Sequence, residues 1–264
     1  MKTSVAVAIV SWPDFENQAS LIESEFGGGA DQLVVLHNGP GGSRTGNWVQ
    51  FPDNSFFAAK FEWALDSLSA DVLVFIVADT WCEDWSDLVE RSRQAFASDR
   101  EIGVWAPVVD ETWWNSEKIV INTPLRESGL QSVIAVDSIV WAFSASIAKE
   151  LKKIDFSESR YGWGIETVTA SIALCNGKLV CRDPNLAVRH RRGTTYPMEV
   201  ANREAQALWL KLPPAIRAMS AVIEEFALLK TVDTPNPLSR RITRRIGWLR
   251  DYMYRVMVKR FTHS

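Results

Sequence analysis

Apolar runs of strand length alternate with stretches of helical spacing through the first two thirds of the chain. Residues 5–11 and 72–78 are apolar almost throughout, the pattern of strands covered on both faces rather than one. Residues 32–36 repeat it after the Gly27-Gly28-Gly29 break, and further strands are expected at 103–106, 138–143 and 178–181. Between them, Phe57, Phe61, Ala64, Leu65 and Leu68 recur at the spacing of one helix face over 56–68. Residues 166–176 read as a helix stopped by Gly177. The alternation predicts an α/β fold on a mostly parallel sheet with flanking helices. Beyond Pro213 and Pro214, residues 216–231 form another helical stretch. We therefore expect a principal domain over 1–212 and a C-terminal helical extension over 213–264.

Open α/β sheets bind ligands beyond the carboxyl ends of their strands, where the chain order reverses. Three clusters fall there, at residues 11–14, 37–42 and 79–84, and all are polar or acidic. No GxxxxGK occurs and no GxGxxG follows the first strand, so phosphate-loop and dinucleotide-binding readings are weak. Asp79 closes the 72–78 strand. By position it can cap a helix near 81–90, whose first turn would hold Glu83 and Asp84. Glu166 opens a helix, where an acid is ordinary capping chemistry. At 188–196, Arg189, Arg191 and Arg192 surround His190. Guanidinium forks match phosphate oxygens, so this cluster suits a diphosphate, with a solvated basic turn as the alternative.

Composition narrows the setting. The 264 residues are 47% hydrophobic and 23% charged, enough for a sizeable core and unlike a disordered chain. Cys82, Cys175 and Cys181 lack CxxC spacing, which argues against a disulfide framework or a cysteine zinc site and fits a reducing, cytoplasmic compartment. The opening apolar run is too short for a signal-peptide core, and no run approaches the ~20 residues of a membrane span. Among twelve tryptophans, Trp81, Trp85, Trp105, Trp113, Trp114 and Trp141 lie between Asp79 and the His190 motif. Indoles stack on sugar faces and also fill cores; Trp141 and Trp163 are the two read as substrate-facing.

Three segments carry a resemblance. They are Asn54 through Leu65 followed by Asp71 through Thr80, the Tyr161-Gly162-Trp163-Gly164-Ile165-Glu166-Thr167 segment, and Val188 through Tyr196. Together they resemble the inverting glycosyltransferase family 2 with its GT-A-type, Rossmann-like fold, especially the bacterial rhamnosyltransferase-like branch, over residues 3–196. The resemblance implies that Asp79 and His190 attend a Mn²⁺ or Mg²⁺ ion, that Glu166 activates the acceptor, and that Arg189, Arg191 and Arg192 close on the donor diphosphate. It also places the base of a nucleotide-sugar near Ser11, Asp14 and Asn38, with Asn54 beside it. The family usually has Asp-x-Asp where this chain reads Val77-Ala78-Asp79, and Asp where it has Glu166.

Charge separates the tail from the body. Arg240, Arg241, Arg244, Arg245, Arg250, Arg255, Lys259 and Arg260 stand against Asp251, a balance of +7 on a chain whose total is −3. Ile242, Ile246, Leu249, Met253, Val256 and Met257 share one helical stripe, with arginines opposite. Residues 239–261 thus suit either an anionic membrane surface or packing on protein. The acidic body makes nucleic acid an unfavourable partner. The expected activity is sugar transfer, with inversion, from a nucleoside-diphosphate donor to a glycan or lipid-linked acceptor in polysaccharide biosynthesis. The alternatives are a non-catalytic nucleotide- or carbohydrate-binding module on a decayed scaffold and a transferase acting on modified DNA bases.

Overall fold

The computed structural model describes residues 2–26, 28–39, 46–110, 119–122, 128–190 and 196–232. Arg191, Arg192, Trp113, Trp114 and the 239–261 tail lie outside the described residues. The strands are β1 (Val5–Ser11), β2 (Gln32–Asn38), β3 (Trp48–Phe51), β4 (Val72–Val77), β5 (Thr80–Cys82), β6 (Ile102–Asp110), β7 (Val120–Asn122), β8 (Gln131–Val133), β9 (Val140–Ser144) and β10 (Leu179–His190). They form one sheet in the order β3-β2-β1-β4-β9-β6-β10-β8-β7, with β5 against the end of β10. Strands β1, β2, β3, β4, β6, β7 and β10 run one way; β5, β8 and β9 oppose them. The sheet is mostly parallel, as its apolar strands predict.

Those strands are apolar at every position because both faces are covered. Along β1, Ala8 and Val10 join one core, while Val5, Val7 and Ile9 join the other; side chains alternate across a pleated strand. The second core is closed by α1 (Glu16–Glu25) and α3 (Trp85–Ser98). The first lies under α2 (Phe57–Ser67), α4 (Ala145–Leu151), α5 (Ile165–Cys175), α6 (Met198–Lys211) and α7 (Pro214–Val232). Its centre is aromatic: Phe61 stacks on Trp141 at 5.8 Å and packs on Phe75 at 4.9 Å and Phe156 at 5.3 Å. Trp141 is 0% exposed. The expectation that it faces substrate is therefore corrected: its place on β9 turns it towards α2. Burying each such ring contributes about 1.5–3 kcal/mol.

The chain after Asp79 also differs from its sequence reading. Residues 80–82 pair as a strand with β10, and the helix begins at Trp85, where the Asp84 carboxylate accepts a hydrogen bond from the Asp87 N–H at 2.9 Å. Asp84 is the cap, which leaves Asp79 without a capping role. Strand β10 runs well beyond the predicted 178–181, through a register shift between Asp183 and Ala187 that carries it on to His190. In the C-terminal extension, α7 is continuous with the first core. Ile223 is fully buried, the Ser220 and Ser171 hydroxyls lie 2.8 Å apart, and Thr167 Oγ1 donates to Glu224 Oε1 at 3.1 Å.

Candidate active site

Strand β1 pairs in parallel with β2 on one side and β4 on the other. The carboxyl ends of these strands form the switch point where ligands of such sheets bind. Asp79 sits at the end of β4. The short β5–β10 ladder pairs Thr80 with His190 and Trp81 with Arg189, which brings His190 Nε2 within 3.2 Å of Asp79 Oδ2. Both side chains are largely enclosed. Asp79 Oδ1 is buried with no hydrogen-bond partner among the described residues, a costly arrangement that calls for a missing partner. Neighbouring strand positions point to opposite faces, so Arg189 is turned away from this pair. Its guanidinium lies 5.0 Å from the centre of the Trp81 ring, with Nε 3.9 Å from Asp110.

A second acid enters from α5. Gly162 and Gly164 both have φ of 84°, a left-handed conformation that favours glycine. A Cβ on Gly162 would collide with Phe57, and one on Gly164 would lie 2.9 Å from Trp209 Nε1. The two glycines let the loop press between α2 and α6 and set Glu166 in the first turn of α5. The Glu166 carboxyl is half-buried, with Oε2 enclosed and unpartnered among the described residues. Burial pushes it up from 4.5 to about 8; the charges of Asp137 and Glu224 add to this, and the backbone N–H groups of Glu166 and Gly164 oppose it. The charges of both acids reach Tyr196. Burial pushes its phenol up to about 12, and the charges of Glu166, Asp79 and Asp137 all act on it in the same direction. Trp163 Nε1 donates to the Tyr196 hydroxyl, so the indole predicted to carry substrate also props this phenol.

The residues predicted to bind the nucleotide divide into two sets. Ser11 and Asn38 are buried and committed to the protein. Lys60 Nζ donates to the Ser11 carbonyl at 2.6 Å and to Asn38 Oδ1 at 2.5 Å. Asn38 Nδ2 donates to the Asp53 carbonyl, and Ser11 Oγ shares a hydrogen bond with His37 Nδ1 at 3.1 Å. These hydrogen bonds tie together the ends of β1 and β2. Asp14 and Asn54 are exposed.

Lys60, Asp137, Tyr196 and Glu224 went unpredicted. Lys60 carried a legible signal, because it falls on the apolar stripe of α2 beside Phe57, Phe61 and Ala64, where a buried lysine needs acceptors. Burial pulls its pKa from 10.5 down to about 7. Lys60→Met should cost about 1–3 kcal/mol by stranding two buried acceptors. Because the folded pKa lies below the unfolded one, wild-type stability rises with pH between about 7 and 10.5. Urea denaturation should therefore show a larger loss for Lys60→Met at pH 9 than at pH 6.

Comparison with known proteins bears on the fold. No protein-family model matches the sequence, and no curated protein matches it. Among solved structures, the mannosyltransferase PcManGT from Pyrobaculum calidifontis, in complex with GDP-Man and Mn²⁺, is similar over 97% of this chain and 83% of its own, with 14% identity and a TM-score of 0.50. Glucosyl-3-phosphoglycerate synthase from Mycobacterium tuberculosis, in complex with Mn²⁺, UDP-glucose and phosphoglyceric acid, is similar over 79% of each chain, with 16% identity and a TM-score of 0.55. The same synthase with Mg²⁺ and UDP gives 0.53. The chain thus has the GT-A-type fold of nucleotide-sugar transferases.

Proposed function

We propose that this protein is a metal-dependent glycosyltransferase that moves a sugar, with inversion, from a nucleoside-diphosphate donor to a hydroxyl of a glycan or lipid-linked acceptor. The reading includes the bacterial rhamnosyltransferase-like branch and a role in polysaccharide assembly at the cytoplasmic side of a membrane. No helix of the described residues is long and apolar enough to cross a membrane. The observation that carries the proposal is a pair of unlike carboxyl groups, one at the end of β4 and one in the first turn of α5, both acting electrostatically on the Tyr196 phenol. Asp79 has an orphaned oxygen beside His190, and Glu166 is half-buried with a raised pKa.

The donor set fits a divalent cation. Asp79 supplies a hard oxygen without a hydrogen-bond partner among the described residues and His190 an imidazole nitrogen; Mg²⁺ and Mn²⁺ commonly take their remaining ligands from phosphate and water. Among the described residues no group of three metal-ligating side chains occurs, so Asp79 and His190 would hold the ion together with the donor. When bound, the ion offsets the charge that develops on the departing diphosphate. The protein's own residues supply the proton chemistry. Glu166, once ionised, accepts the acceptor hydroxyl proton as that oxygen bonds to the anomeric carbon and the anomeric carbon–oxygen bond to phosphate breaks. Attack opposite the leaving group inverts the centre. The Lys60 brace fixes the ends of β1 and β2 around the nucleotide.

Calorimetric titration with UDP-, GDP-, dTDP- and CMP-sugars, with and without Mn²⁺, tests the reading when paired with mass spectrometry of the donor. One nucleotide class should bind in a cation-dependent way and be turned over. Failure of every nucleotide to bind would sink the proposal. Tight binding without turnover would favour the decayed-scaffold reading, which the single acid of Val77-Ala78-Asp79 motivates.

A further inference from the structure

Helix α7 packs on α5 and α6 through one face, where Ile223 is fully buried and Ile216, Met219 and Phe226 lie against the first core. Its opposite face is exposed, and it is apolar as well. Ala215, Ala218, Ala221 and Val222 share that face, with Arg217 and Glu225 as the charged residues beside them. Val222 is 53% exposed, and Leu210, near the end of α6, is 72% exposed. Leu210 stands by the first turns of α7, since its carbonyl accepts a hydrogen bond from Arg217 Nη1 at 3.3 Å. A surface helix ordinarily carries its charges opposite its buried stripe, and a helix apolar all round is covered on both sides. Among the described residues no element covers this face.

We infer that the cover is the chain's own C-terminal segment: residues 239–261 fold back antiparallel on α7 and bury the Ile242–Met257 stripe against Val222 and Leu210. The inference does not depend on the transferase reading. Three observations favour this occupant. Only residues 233–238 separate α7 from the segment, a length usual between antiparallel helices, and Pro235 and Pro237 break the helical run between them. The lengths also match. The 19 residues of α7 make about 28 Å of helix, and a helical stripe from Ile242 to Met257 makes about 23 Å, so its far end reaches back towards Leu210. Charge fixes the direction. Arg240, Arg241, Arg244 and Arg245 crowd the start of the segment, and a hairpin sets them towards Glu225 and the carboxyl end of α7, where cations are favoured. The alanines leave room for the larger side chains of the stripe. A membrane surface would take the same stripe and leave the α7 face bare. Packed this way, the segment backs α7 from outside while Glu224 holds Thr167 from within.

The experiment is hydrogen exchange of the full chain, read by mass spectrometry on dilute protein without lipid. Amides of residues 242–257 should exchange about ten-fold or more slowly than in an unstructured chain, because a helix of this length needs packing to persist in water. Ala218→Lys combined with Val222→Lys sets cations on the exposed face against the arginines. The pair should abolish the protection while α5 exchanges as in the wild type, and Val222→Ile should keep it. Ile246→Asp, which leaves residues 1–232 unaltered, should abolish it equally. Protection that survives either the lysine pair or Ile246→Asp overturns the inference, as does an unprotected wild-type segment. Protection that appears only at high protein concentration overturns it in favour of a second copy of the chain. Protection gained only on adding phosphatidylglycerol vesicles overturns it in favour of an anionic membrane.

Discussion

Glu166→Gln is expected to lower sugar transfer by about 10²- to 10⁴-fold, the usual contribution of a general base, while nucleotide affinity and cation dependence persist. Glutamine keeps the shape of the side chain and loses only the ability to take a proton. The pH behaviour has a definite sign in both activity and stability. The base must be ionised, so wild-type kcat/KM should climb with pH through a midpoint near 8 to a plateau above it, whereas the residual rate of the variant should lack that limb. Stability runs the other way. The folded chain holds the Glu166 proton up to about 8 and the unfolded chain releases it near 4.5, so rising pH across this window drains stability from the wild type. Glutamine carries no such penalty. Thermal unfolding should find the variant more stable by several degrees at pH 8.5 and indistinguishable at pH 4. A Glu166→Gln protein that transfers sugar at the wild-type rate would remove Glu166 from catalysis.

Asp79→Asn should be nearly as damaging, for a different reason. The substitution leaves a neutral amide where a buried carboxylate faces His190, and an amide is a poor partner for a divalent ion competing with water. Turnover should fall by about 10²- to 10³-fold, the range seen when one transition-state charge stabiliser is removed. The diagnostic readout is binding. Wild-type nucleotide affinity should strengthen on adding Mn²⁺ and weaken with chelator, and the variant should give the same affinity in both conditions. An Asp79→Asn protein that retains full cation-dependent binding would place the metal elsewhere.

The parallel half of the sheet was legible because burial on both faces imposes an uninterrupted apolar run, which is a local property. The antiparallel insertion of β9 between β4 and β6 was not, since pairing partners far apart in the chain leave no periodicity in either strand. The same division runs through the site. Asp79, Glu166 and His190 could be singled out because each sits in a local motif at an element boundary. Asp137 and Glu224 act on Glu166 only through the way the chain folds back, and nothing in their immediate sequences marks them. Asn38 lay at the predicted strand end, but its amide is occupied by Lys60 and Asp53. Position along a strand does not say which partner a polar group has already taken. Trp141 was misread for the reverse reason: an indole suits a sugar or a core equally, and only the neighbouring Phe61, Phe75 and Phe143 decide.

The junction of α5 with α7 redraws where the working unit stops. A boundary at residue 212 would cut away Ile223 from the core, Ser220 from Ser171, and Glu224 from Thr167, the residue next to the base. Glu224 also helps hold the Glu166 proton. A shortened chain would thus retain every motif by which the protein resembles a transferase and still present an altered Glu166 carboxyl. For this architecture, the packed unit and the stretch that carries the resemblance are different lengths.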